Sequence, residues 1–134
     1  MPRKPQGHLA RVRRICLALP EAIEKTAWGA PTFRVGKGRI FAMFADDHHG
    51  DGRIALWFHS KRDSQQLLVE SDPHRFFVPP YVGPGGWIGV HVDRSNDAIL
   101  EDCAWRAWCG VAPARLRQAA EAARDPTGQT RVGG

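Results

Sequence analysis

Cysteine is scarce in this 134-residue chain, and its number is odd: Cys16, Cys103 and Cys109 are the whole complement. Their spacings fit no metal-ligand pattern, and an odd count builds no closed disulfide framework, so they read as small apolar residues in a reducing compartment. No apolar run approaches the roughly 18 residues that a membrane-spanning helix needs. No apolar stretch follows the N-terminal charges as it would in a secretory signal, so the expected location is the cytoplasm. Acid is missing from the first twenty residues, which carry Arg3, Lys4, Arg11, Arg13 and Arg14. A phosphate-cradling loop, a nucleophile paired with a base, a zinc finger, a ribonucleoprotein motif and an internal repeat are all absent too. These absences argue against catalysis, against a resident cofactor or metal, and against the common base-reading modules.

What is present describes one globular domain. Apolar residues make up 43% of the chain, with five tryptophans, enough for a packed core at this length. The net charge of +5 is unevenly spread: +5 on residues 1–20, −2 on residues 21–112 and +2 on residues 113–134. Basic ends on a slightly acidic body suit a polyanionic partner, and they also suit plain solubility.

Residues 1–7 read as a disordered lead-in, 8–124 as the domain and 125–134 as a flexible tail. Leu9, Val12, Ile15, Cys16 and Leu19 recur at helical spacing and predict a helix over 8–19 with arginines on its outer face. Thr32–Val35, 39–45 and 53–59 read as strands joined by Gly36–Gly38 and a polar turn at Asp46–Gly52. In the second of these, alternation sets Phe41 and Met43 against Ile40, Ala42 and Phe44. Ser60 and Asp63 have capping-box spacing before a helix over 61–70. Residues 74–80 are extended, with prolines that exclude the middle of a sheet.

Tyr81-Val82-Gly83-Pro84-Gly85-Gly86-Trp87 is a turn, with positive φ expected at Gly85 or Gly86, and it feeds a strand over 87–92 in which Trp87 is expected to be largely buried. Helices over 97–110 and 113–123 complete an α+β domain: a single antiparallel sheet of about five or six strands, with its helices mainly on one face.

Three segments, Trp28-Gly29-Ala30-Pro31-Thr32-Phe33, Lys37-Gly38-Arg39-Ile40-Phe41-Ala42 and Pro80-Tyr81-Val82-Gly83-Pro84-Gly85-Gly86-Trp87-Ile88, resemble the MmcQ/YjbR family in the same order. The resemblance spans roughly residues 8 to 120. It implies a frataxin-like fold and a DNA-binding role of the double-wing type. Frataxin-like iron binding would need an acidic first helix, which this chain does not have.

Two functional classes follow. The first is weak, largely sequence-independent contact with the phosphates of double-stranded DNA, through Arg11, Arg13 and Arg14 on the first helix, Lys37 and Arg39 at a hairpin, and Lys61 and Arg62 at a helix start. The second is a small-molecule or protein binding groove lined by Trp28, Trp57, Tyr81, Trp87 and His91. His48 and His49, flanked by Asp46, Asp47 and Asp51, read as a solvated hairpin tip rather than a metal site.

Overall fold

The computed structural model describes residues 5–124. The lead-in residues before Pro5 and the whole of the expected tail lie outside the described residues. The elements are α1 (Pro5–Leu17), β1 (Ala22–Ala27), β2 (Ala30–Val35), β3 (Ile40–Asp46), β4 (Ile54–Phe58), α2 (Arg62–Ser71), β5 (Phe76–Phe77), β6 (Ile88–His91), α3 (Asp97–Val111) and α4 (Ala114–Arg124). Helix α1 therefore begins three residues before the expected start at His8. The six strands form one sheet in the order β1-β2-β3-β4-β6-β5, with every neighbouring pair antiparallel.

The face of the sheet toward the helices carries the main core. Ile54, Leu56 and Phe58 of β4 and Ile88 and Val90 of β6 pack there with Val12 and Cys16 of α1 and Leu100, Ala104 and Trp108 of α3. Met43, Ala45, Ala55, Trp57 and Phe77 form a smaller apolar layer, with Ala30, Val82 and Trp87 packed against it. Because successive strand residues point to opposite faces, this assignment follows from β4 directly. Phe41 departs from the alternation. Phe33 pairs with Ala42 while Arg34 pairs with Ile40, so Phe41 is the extra residue of a bulge and joins the helix-side core beside Ala42 and Phe44.

Three local features add to or correct the expectations. Residues 22–27 form a sheet-edge strand, because Ala22↔Val35 through Ala27↔Ala30 pair along their whole length. Its alternating half-exposed pattern is too polar to stand out from sequence. Ser60 does not cap α2. Lys61 occupies that position with an extended backbone, and no side chain accepts there. At α3 the cap is genuine: Asn96 Oδ1 accepts from the Ile99 amide at 2.9 Å. The third concerns Trp87, which is only half-buried, at the margin of the smaller apolar layer. Gly86 has φ +106°, as the turn composition requires.

Candidate nucleic-acid interface

The arginines of the first helix act inside the fold. Arg11 Nε donates to Asp97 Oδ1 at 2.6 Å, Nη1 to the Val92 carbonyl at 3.0 Å, and Nη2 to the Ser95 carbonyl. Arg14 Nη2 donates to the other oxygen of Asp97 at 2.9 Å. Arg13 forms a two-pronged pair with Glu24 on β1, at 2.8 and 2.9 Å. All three guanidinium groups therefore have a carboxylate beside them, and they tie α1 to the start of α3 and to the edge strand. The two guanidinium groups also hold the Asp97 carboxyl below its usual range.

This contact has a pH signature. A carboxyl with a depressed folded-state pKa stabilises the fold above its unfolded value of about 4, and the contribution is lost as pH falls through the lower, folded value. Asp97→Asn should therefore melt lower than the wild type at neutral pH, and the difference should shrink as the scan is repeated below about pH 4. A gap that stays constant down to pH 2 would mean that the carboxylate charge is not what matters.

The other basic candidates meet elsewhere. Antiparallel pairing brings the β2–β3 hairpin, with Lys37 and Arg39, to the end of the sheet where β4 runs out toward Lys61 and Arg62. Between them stands His59, whose Nε2 lies 3.4 Å from Arg39 Nη2. Burial pushes the His59 imidazole below its usual pKa, and Arg39 and Lys61 push it further the same way. Arg62 Nε donates to the Pro84 carbonyl at 2.9 Å and so joins the glycine-rich turn to this end. Among the described residues, no carboxylate forms an ion pair with Lys37, Arg39, Lys61 or Arg62.

The aromatic candidates do not converge on one groove. Trp57 is buried in the smaller apolar layer, and Trp87 packs at its margin with its ring 6.0 Å from His59. His91 is buried against Phe77, with ring centroids 5.0 Å apart. Tyr81, 71% exposed, lies near His48 and His49 at 5.8 and 6.1 Å. Trp28, 79% exposed, stands on the β1–β2 hairpin and shares a shallow hollow with His48. Trp57 and His91 sit on the inner strands β4 and β6 with Trp87 just before β6, while Trp28 and Tyr81 stand on loops near His48. His48 is less solvated than a hairpin tip suggests, since its ring packs 4.8 Å from Trp57. Among the described residues no cluster of three or more metal-ligating side chains forms.

The cysteines are poor nucleophiles. Burial pushes the Cys16 and Cys103 thiols up to about 12 and raises Cys109 as well. No helix of the described residues is long and apolar enough to cross a membrane.

His59 is the site residue that sequence reasoning passed over. The available signal was its position, one residue past an apolar strand and two before Lys61-Arg62. Its contact with Arg39 depends on sheet pairing, as His59 N–H donates to the Phe41 carbonyl at 2.8 Å.

Comparison with known proteins gives two findings. A family model described as YjbR matches residues 17–109. The crystal structure of Deinococcus radiodurans protein DR2400, with the family-model domain DUF419, superposes with a TM-score of 0.63. The two chains are 17% identical, and the likeness covers 81% of this chain and 80% of that one. A likeness at that identity establishes a shared fold. No curated protein matches.

Proposed function

This chain belongs to the YjbR family, and on that premise we propose that it is a non-catalytic binding module that contacts the phosphates of double-stranded DNA through the basic end of its sheet. One observation carries the reading: Lys37, Arg39, Lys61 and Arg62 come from two separate segments to one end of the fold, and no carboxylate pairs with them among the described residues. Side chains of this type release counterions when they meet a polyanion. The first-helix arginines contribute less in this reading than their number suggests, because Asp97 and Glu24 offset two of their three charges in place.

Contact of this kind is weak and largely independent of sequence. Lysine and arginine on phosphate position a protein without reading bases, and micromolar or weaker dissociation constants are expected at physiological salt. A DNA partner and three free cysteines both agree with a cytoplasmic protein.

The test is fluorescence anisotropy with random duplex DNA across a salt series. Each phosphate contact adds about 0.9 to the magnitude of the log–log salt slope. A Lys37→Ala, Arg39→Ala, Lys61→Ala triple variant should flatten the slope by about 2.7, while Arg13→Ala with Arg14→Ala should leave it nearly unchanged. No binding at low salt, or a slope that responds to the helix pair and not to the triple, rules out this interface.

A further inference from the structure

Helix α2 covers the sheet incompletely. None of its residues is buried, and Leu67, which borders the space between α2 and α3, is 70% exposed. Between α2 and α3 runs a groove of about 700 Å³. That volume lies within the roughly 300–1,000 Å³ of ordinary small-molecule sites. Its floor is Phe58 and Phe76, and its walls are Leu67 and Leu68 on one side and Ile99 and Cys103 on the other.

The polar groups along this groove are unequal. Arg106 is paired with Asp102 at 2.8 Å, and Arg75 is engaged by Asp72 and the Arg94 carbonyl. Lys61 lines the groove where β4 ends, and no carboxylate pairs with it among the described residues. Beside it is His59. Arg39 Nη2 can only donate, so the His59 Nε2 facing it at 3.4 Å is the acceptor, and the neutral ring carries its proton on Nδ1. That Nδ1 is buried and has no hydrogen-bond partner. It lies against Gly110, where a Cβ would come within 2.6 Å of it, so only glycine leaves the ring this position. A buried donor without an acceptor is costly and calls for a partner.

An apolar trough with an unpaired ammonium and an orphan N–H at one end has the polarity of an amphiphilic anion. We propose that the groove between α2 and α3 binds an alkyl carboxylate, with its carboxylate at Lys61 and His59 and its chain lying over Phe58 and Phe76 between Leu67 and Ile99. The carboxylate supplies the counter-charge that Lys61 lacks. The chain covers Leu67, which the fold leaves exposed. This site does not depend on DNA contact, although Lys61 borders both.

The experiment is isothermal titration calorimetry of the full chain with decanoate and with decanol, which has the same chain and no charge. Decanoate should bind saturably, about tenfold or more tighter than decanol, the factor that one charge-assisted hydrogen bond supplies. Lys61→Ala should remove that advantage, and Leu67→Glu should abolish binding of both while leaving the melting temperature unchanged, since the side chain is exposed. Equal affinity for the acid and the alcohol, no saturable binding, or undiminished binding by Leu67→Glu would each overturn the proposal. The two readings separate cleanly. Lys37→Ala should flatten the DNA salt slope and spare decanoate, and Leu67→Glu should do the reverse.

Discussion

Replacing Trp108 by alanine is expected to destabilise the domain by about 3–5 kcal/mol, the range for emptying a large aromatic site in a core. Trp108 lies on α3 with no solvent exposure, and it is the largest of the fully buried side chains. Its indole Nε1 donates to the Pro20 carbonyl at 3.0 Å, joining α3 to the connection between α1 and β1. Trp105 stacks on it at 5.5 Å between ring centroids, and Arg124 of α4 lies 4.0 Å above the Trp105 ring. One side chain therefore fills the core and also ties α3 to the connection between α1 and β1. At this chain length the loss should lower the melting temperature by roughly ten to twenty degrees. Trp108→Phe keeps most of the volume and gives up the Pro20 bond, so it should cost much less. Thermal melts of the two variants that prove equal would show that volume does not dominate.

The second large effect is expected at Gly86, and its cause is the backbone. Its φ of +106° is a conformation that side-chain-bearing residues seldom adopt, and forcing one there costs about 1–3 kcal/mol. A Cβ at this position would also meet Lys61 Cα, Lys61 C and the Arg62 amide nitrogen at 2.8–2.9 Å. These are main-chain atoms at the start of α2 and cannot swing aside, so overpacking adds about 1–3 kcal/mol more. Gly86→Ala should therefore destabilise by roughly 2–6 kcal/mol. Gly85→Ala, with nothing within 4 Å of the added atom, is the control and should be close to neutral. Chemical denaturation that ranks the two alike would mean that the turn relaxes around the new methyl group.

The glycine-rich turn was legible because its composition limits it. Three glycines and a proline in four residues leave few conformations, and positive φ at Gly86 is among them. What the turn packs against was not legible. The close approach of Gly86 to Lys61 brings together residues that are distant in the chain, and only the folding of the turn against the start of α2 creates it.

The same division explains the candidate site. Local sequence carried the α+β class, the alternation of β4, the helix at 97–110, and the concentration of positive charge in the first helix, since each depends on neighbours within a few residues. Which of those charges remain available was decided by tertiary structure. Asp97 is 86 residues from Arg11, and Glu24 is on a strand whose pairing holds it beside α1, so the fold sets which helix arginines are paired. Lys37, Arg39 and Lys61 are separate candidates along the chain, and with His59 they become one cationic end because antiparallel pairing puts the β2–β3 turn beside the exit of β4. The sequence by itself determined which elements form and where the charge is concentrated. Packing determined which charges are cancelled and which are left to meet a partner, because ion pairing depends on distance in space and not on distance along the chain.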